Sequence, residues 1–282
     1  MKKIISLVLV ALMLACLFIS CGKAAPAVKV IDIDLTEEEY AFGVDKTQPE
    51  LLTKVNAFID EIMANGKFDE ICNNYFGDGT PVAVKSAELD TTKDQLVVAT
   101  NAAFEPFEYT TDGGKTYLGI DMEIAALLAD YLDLELVISN MEFDAVCLSV
   151  GQQKADIAMA GLTVKPEREE HVTFSKSYYQ ASQKLIVMAD DTTFDACKTA
   201  DDVVAILNTK DASTKIGVQN GTTGFFYVSG DAEWGFDGYA VECKGYTNGS
   251  LAVNDMINGN IDYVIIDAAP ADCIVEAYNA MN

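Results

Sequence analysis

Histidine is almost absent from this 282-residue chain: His171 is the only one, and it stands beside Glu169 and Glu170. A histidine-built metal centre, a Ser-His-Asp or Cys-His nucleophile and an HExxH site are therefore out of reach, and an exposed surface histidine is expected. Basic residues are scarce too, 19 against 44 acidic ones, for a formal net charge of −25. Nucleic-acid binding, which requires a basic footprint, is excluded; acidity of this degree favours solubility and mutual repulsion at a cell surface. No pair of cysteines has CxxC spacing. Beyond the first twenty residues no apolar run approaches membrane-spanning length. Half the residues are apolar, enough for a large core in one or two domains.

The first segment stands apart. Lys2-Lys3 precede an apolar run over 4–20 and then Cys21-Gly22. That pattern reads as an export signal over 1–20, set aside from the fold; an uncleaved anchor is the competing reading, at the low end of spanning length. Ser20-Cys21-Gly22 resembles a bacterial lipoprotein signal, with Cys21 as the lipidation site. Ala15-Cys16 is a second possible site, disfavoured because it would leave Leu-Phe-Ile-Ser at the mature N-terminus. Residues 21–28 would form a lipid-anchored tether. Loss of the two lysines with the signal would bring the charge to −27. Of the seven cysteines, Cys72, Cys147, Cys197, Cys243 and Cys273 remain after the signal and the anchor. An odd set cannot pair completely, and buried thiols are the default.

VIDIDL (30–35) alternates apolar and acidic residues, the period of a half-buried strand. A second strand is expected over 40–44. Thr47-Gln48-Pro49-Glu50 offers a capping box for a helix that Gly66 ends. A shorter helix carries Phe68, Ile71, Cys72, Tyr75 and Phe76, and residues 77–94 read as a linker. From there strands at 95–100, 134–139 and 156–160 alternate with helices at 121–132 and 143–153. After a stretch at 174–188, strands at 215–219 and 262–266 alternate with helices starting near Thr222, Gly249 and Ala271. Two successive α/β units, with a mostly parallel sheet in each, imply two lobes with a cleft at the carboxyl ends of their strands.

Several residues at those strand ends could hold a ligand. Arg168, in AGLTVKPERE, could grip a carboxylate through two parallel hydrogen bonds, or pair with the adjacent glutamates. QNGTTGFF (219–226) is a strand–glycine loop–helix start whose free amides favour an anion; an ordinary tight turn is the alternative. It lacks the ending of a nucleotide loop. Asp267 closes the run DYVIID and could take an ammonium group or cap the next helix. Phe104 and Phe143 follow strands, where either a pocket or the core would take them. Together, Arg168 with Thr222 and Thr223, and Asp267 with Thr163, complement the zwitterion of an α-amino acid.

VVATNAAFEPFEY, GIDMEIA, FDAV with KADIAMAGLTVKPERE, FSKSYY, IGVQNGTTG and DYVIID, in that order over about 190 residues, resemble the polar amino-acid solute-binding proteins of ABC importers. The resemblance implies an α/β, two-lobed periplasmic-binding-protein (type II, Venus-flytrap) fold. It also implies that the protein is not an enzyme and has neither cofactor nor metal. Its partners would be an amino acid, a permease with its ATPase, and the membrane through the N-terminal lipid; a monomer is expected. By the same resemblance Arg168 would hold the α-carboxylate with the N–H groups of Thr163 and Thr223. Asp267, Thr163 and the Gly161 carbonyl would hold the ammonium. Phe104 and Phe143 would flank the side chain, while Asn101, Gln219 and Thr222 line the pocket. Asn101 and Gln219 favour a neutral polar side chain such as that of glutamine; Asp121 and Glu108 leave lysine or arginine open. A dehydratase on the same fold and an amino-acid sensor are the competing functions.

The family's order is broken at one point. Its closing strand, return hinge and last helices match KVIDIDLTEEEYAFGV through NNYFGD, residues 29–78, ahead of the rest. A circularly permuted chain is the expectation. Lobe 1 would comprise 41–79 and 94–177, lobe 2 29–35 and 183–282. The hinge strands would be 36–40 and 178–182, running side by side, and 80–93 would link the family's usual termini.

Overall fold

Two five-stranded sheets and a small three-stranded one organise residues 27–281, the part of the chain that the computed structural model describes. The signal, the lipidation site at Cys21 and the tether up to residue 26 fall outside those residues. Elements in chain order begin with β1 (Val28–Ile31), β2 (Glu38–Asp45), α1 (Pro49–Ala64) and α2 (Lys67–Phe76). Next come β3 (Gln95–Thr100), β4 (Ala103–Phe104), β5 (Glu108–Thr110), β6 (Tyr117–Leu118), α3 (Ile120–Leu132) and β7 (Glu135–Asn140). A 3-10 turn at Phe143–Ala145 leads into α4 (Val146–Gly151), β8 (Ile157–Ala158), α5 (Pro166–Glu169) and β9 (Val172–Ala181). The remainder is β10 (Gln183–Met188), α6 (Ala200–Leu207), β11 (Lys215–Gln219), α7 (Thr223–Ser229), β12 (Glu242–Tyr246), α8 (Gly249–Ile257), β13 (Tyr263–Asp267) and α9 (Ala268–Met281).

One sheet has the order β7-β3-β8-β2-β9 and the other β1-β10-β13-β11-β12, giving the two lobes. Within each, the strands of the βαβ units run parallel, β3 with β7 and β8, and β11 with β12 and β13. The sheets are nonetheless mixed, because β1, β2, β9 and β10 join them antiparallel. These four are the strands that pass between lobes: the chain crosses once between β1 and β2 and again between β9 and β10. Both crossings meet at one place. Glu38, Glu39 and Tyr40 pair with Ala181, Gln180 and Tyr179, so the two crossings run side by side over these residues.

Local chemistry explains where elements start and stop, and where they depart from expectation. The capping box at Thr47 does not form. Helix α1 begins at Pro49 without a side-chain cap, while Thr47 donates its N–H and hydroxyl to Asp45 and Gln48 bridges Asp45 and Asp156. Strand β1 is shorter than VIDIDL and starts earlier. Buried Val28 already belongs to it, tied with Ala27 to Asn279 of α9, so the expected tether ends sooner. The stretch 80–93 is not a loose linker. Val84 is buried and bridges Tyr117, Ala87 N–H donates to the Leu136 carbonyl, and Ser86 accepts from Ile138 N–H. The apolar cores are made of residues such as Val44, Val98, Leu128 and Ile157 under one sheet and Leu185, Val218 and Ile265 in the other. Burying each such side chain stabilises the fold by roughly 1.5–3 kcal/mol. All five cysteines from Cys72 onward are free thiols. His171 is half-buried against Gly151 rather than exposed.

Candidate functional site

The carboxyl ends of β8, β11 and β13 converge where the two lobes meet, and the residues singled out from sequence meet there. Arg168 projects from α5 and is only 8 % exposed. It makes no ion pair with its glutamate neighbours. Its Nη1 donates to the Thr163 carbonyl (2.8 Å) and its Nη2 reaches across to the Gly221 carbonyl of the other lobe (3.1 Å). Gly221 has φ +70°, a left-handed conformation that glycine adopts without penalty. The guanidinium lies 5.2 Å from the Phe143 ring and 5.1 Å from that of Trp234. A buried guanidinium bonded to carbonyls and covered by ring faces, with no carboxylate bonded to it, favours an anion.

Trp234 was not anticipated. It stacks on Phe226 with centroids 4.6 Å apart, and its indole N–H donates to Glu167 of the facing lobe at 2.7 Å. Lys165 lies 5.1 Å from the same ring. As the only tryptophan in the chain it leaves no periodic signal, and its position in an irregular loop gave sequence reading nothing to hold.

Acids gather at the opposite end. Asp267, at the end of β13, is 3 % exposed and accepts a 2.5 Å hydrogen bond from the Tyr40 hydroxyl. Burial, and then the negative charge of Glu38, push its carboxyl up to about 7; the Tyr40 bond opposes them. Glu38 is buried too. It accepts from the Thr163 hydroxyl (2.7 Å), Gln183 Nε2 (3.0 Å) and Thr36 (2.6 Å). Neither Glu38 nor Tyr40 was picked out as a site residue. The available signal was an acid run leading straight into a buried strand, EEEYAFGV, where a carboxylate facing inward requires partners.

Between these ends the lobes touch directly. Thr163 Oγ1 and Thr223 Oγ1 are 3.1 Å apart, and Gln219 Nε2 donates to Asn101 Oδ1 at 3.1 Å. Asn101 also donates to the Met141 carbonyl, leaving Gln219 Oε1 buried and without a partner among the described residues. Thr222 caps α7, accepting from Phe225 N–H and donating to the Gln219 carbonyl. Phe104 is buried beside Gly161, whose φ is +53°; a Cβ there would lie 2.9 Å from the Phe104 ring. Phe143 is half-buried over Arg168.

Two acids considered for a cationic side chain lie elsewhere. Asp121 is buried behind the site, with its oxygens taken by Tyr178 OH (2.7 Å) and Gly161 N–H (3.0 Å). Burial raises its carboxyl to about 7 despite both bonds. Glu108 is fully buried, and its carboxyl is pushed well above the usual range by burial, then by Asp121 and Asp267.

Two α/β lobes meeting at a buried cation at one end and buried acids at the other have the architecture of clamp-type binding proteins for small solutes. The chain belongs to the bacterial extracellular solute-binding proteins, family 3, whose profile matches residues 96–266. It is 29 % identical over 180 residues to the putative ABC transporter arginine-binding protein 2 of Escherichia coli, covering 64 % of this chain and 65 % of that one. Among solved structures, truncated arginine-bound ArgBP of T. maritima superposes with a TM-score of 0.54 at 30 % identity, over 65 % of this chain and 78 % of that one. The ancestral amino-acid-binding protein AncCDT-1, a precursor of cyclohexadienyl dehydratase, gives 0.55 at 25 % identity, over 65 % and 75 %. The chain spans less than two thirds of the length of the curated relatives it matches. The curated relatives named above and their neighbours carry the names of binding proteins, the family is described as extracellular, and some of its members are named as periplasmic. No helix among the described residues is long and apolar enough to cross a membrane.

Proposed function

We propose that this protein captures a polar L-amino acid between its lobes and hands it to an ABC permease and its ATPase. The observation that carries the reading is the buried Arg168 guanidinium, held by one carbonyl from each lobe and no carboxylate. It would take the α-carboxylate with the N–H groups of Thr163 and Thr223, while Asp267, Thr163 and the Gly161 carbonyl take the ammonium. Phe104 and Phe143 would flank the side chain, with Thr222 beside them. The unpartnered Gln219 Oε1 and the neighbouring Asn101 favour a side chain that ends in N–H donors. Arginine and glutamine both qualify, and several relatives are named for arginine. A thermal-shift screen of the twenty amino acids tests this, because a ligand that binds only the folded state raises its melting temperature. Stabilisation by arginine or glutamine is expected; no shift with any amino acid would remove the reading. An enzyme of the dehydratase kind would instead convert its ligand, visible by NMR.

The same reading places the protein outside the cytoplasm, anchored by acyl chains on Cys21. Cys21→Ala should release it from the membrane fraction. It also includes circular permutation, with the lobe, hinge and linker boundaries given above. Support comes from β1 and β2, which enter the two sheets beside β10 and between β8 and β9, although both precede the matched residues 96–266. A chain re-cut so that 27–79 follow 281 should fold and bind within about twofold of the native order. A re-cut chain that fails to fold would count against the permutation.

A further inference from the structure

Glu38 has no counterpart among the residues assigned to the ligand, yet it is buried at the amino end and bonded to one of them. Thr163 has a single hydroxyl proton, and a carboxylate can only accept. The 2.7 Å contact therefore commits that proton to Glu38. Thr223 Oγ1, 3.1 Å from Thr163 Oγ1, must then be the donor in its own contact. The result is a directed chain that crosses between the lobes, Thr223 to Thr163 to Glu38. Gln183 Nε2 and Thr36 hold the carboxylate in place from two other sides. Such chains polarise each member, and each bond strengthens the next.

We propose that Glu38 is a positioning residue for recognition of the α-ammonium, acting by turning the Thr163 hydroxyl into a pure acceptor toward the ligand. This rests on the amino-acid reading of the site. With its proton taken and one lone pair used by Thr223, Thr163 offers only a lone pair to the ligand. That matches an ammonium, which is only a donor, and is indifferent to a hydroxyl, which can serve either way. Glu38 thus selects α-amino acids over their α-hydroxy counterparts without touching the ligand. Glu38→Gln keeps the volume but presents an N–H to Thr163, which frees the Thr163 proton to face the ammonium.

The test is calorimetry with L-arginine, L-glutamine and the α-hydroxy acid matching each, on the full chain. For wild type, the amino acid should bind far more tightly than its hydroxy counterpart. Glu38→Gln should shrink that ratio about tenfold, by weakening the amino acid while sparing the hydroxy acid. In a Thr163→Val background, Glu38→Gln should change the ratio less than twofold. An unchanged ratio, equal weakening of both ligands, or the same tenfold effect without the Thr163 hydroxyl would each overturn the proposal. Should Glu38→Gln fail to fold, Glu38→Asp carries the same expectation, because it keeps the charge but withdraws it from Thr163. If wild type binds neither amino acid, the reading of the site itself falls, which is a separate outcome from an unchanged ratio.

Discussion

The two ends of the site are built on opposite plans. At the end proposed for the ligand carboxylate a single cation, Arg168, is framed by the Phe143 and Trp234 rings and two carbonyls. At the end proposed for the ligand ammonium, the amino end, two carboxylates, Glu38 and Asp267, are held among hydroxyls and an amide where both crossings between lobes come together. A guanidinium stays charged at every working pH; a carboxyl lifted to about 7 does not. One end is therefore a fixed charge and the other an adjustable one, so binding should be strong through the first and tunable through the second.

The largest effect should separate the ends by redundancy. Arg168→Ala leaves the ligand carboxylate with no cation, and truncating one partner of a buried charge pair costs about 2–5 kcal/mol. A loss of affinity toward the upper end, about a thousandfold or more, is expected by calorimetry with arginine or glutamine. Asp267→Ala should fall lower in that range, about thirty- to a hundredfold, because the Thr163 hydroxyl and the Gly161 carbonyl still offer acceptors to the ammonium. Equal losses would break the contrast between a lone cation and a shared amino end.

Dependence on pH comes next and belongs to the amino end alone. The carboxyl of Asp267 is raised from 3.8 to about 7, so the folded protein holds that proton more tightly than the unfolded chain does between those values. Stability contributed by this group therefore declines as pH rises through that window. Binding runs the other way. An ammonium prefers the ionised carboxylate, so below about pH 7 a proton must leave as the ligand enters. Affinity should fall by up to tenfold per unit as pH drops from 7 toward 5, and Asp267→Asn should flatten that slope. Tyr40 bonds to Asp267, and Glu38 and Glu108 act on it through their charge; a slope that survives Asp267→Asn would move the titration to Glu108, whose carboxyl burial also raises.

The same contrast explains what the sequence disclosed. Arg168 and Thr163 lie five residues apart beyond a strand, in AGLTVKPERE, and Thr222 and Thr223 sit in a glycine loop ahead of a helix, so local chemistry exposes the carboxylate end. Most parallel strands and helices were legible for the same reason, being periodic and locally bounded. The amino end is assembled from residues 125 to 227 positions apart: Tyr40 with Asp267, Glu38 with Thr163 and Gln183. Nothing local in EEEYAFGV says which acid turns inward; the pairing of β2 with β9 decides it. The side-by-side crossings could be expected from the order of segments, whereas the docking of 80–93 through Val84 and Ser86 could not, since that stretch has no period.

A smaller effect should come from Trp234, which ties the carboxylate end shut. Its indole N–H to Glu167 is a hydrogen bond to a charged group, worth about 1.5 kcal/mol at the low end of such bonds. Trp234→Phe keeps the stacking on Phe226 but loses this tie, and stopped-flow dissociation should be about tenfold faster with little change in the association rate. Because Trp234 is the only tryptophan and is 4 % exposed here, its emission should report parting of the lobes directly. Ligand addition that leaves the emission unmoved would mean that this end does not open.

The smallest effect isolates the helix at the carboxylate end from the cation beside it. Thr222 caps α7 through Phe225 N–H and anchors the preceding turn through the Gln219 carbonyl. Replacing such a cap by alanine typically costs about 1 kcal/mol of stability. Helix α7 has only seven residues, so little dipole accumulates for the cap to preserve at its N-terminus. Thr222→Ala should lower denaturant-measured stability by about 1 kcal/mol while weakening ligand binding less than threefold. A binding loss approaching that of Arg168→Ala would show that the helix start, rather than the guanidinium, supplies the fixed positive end.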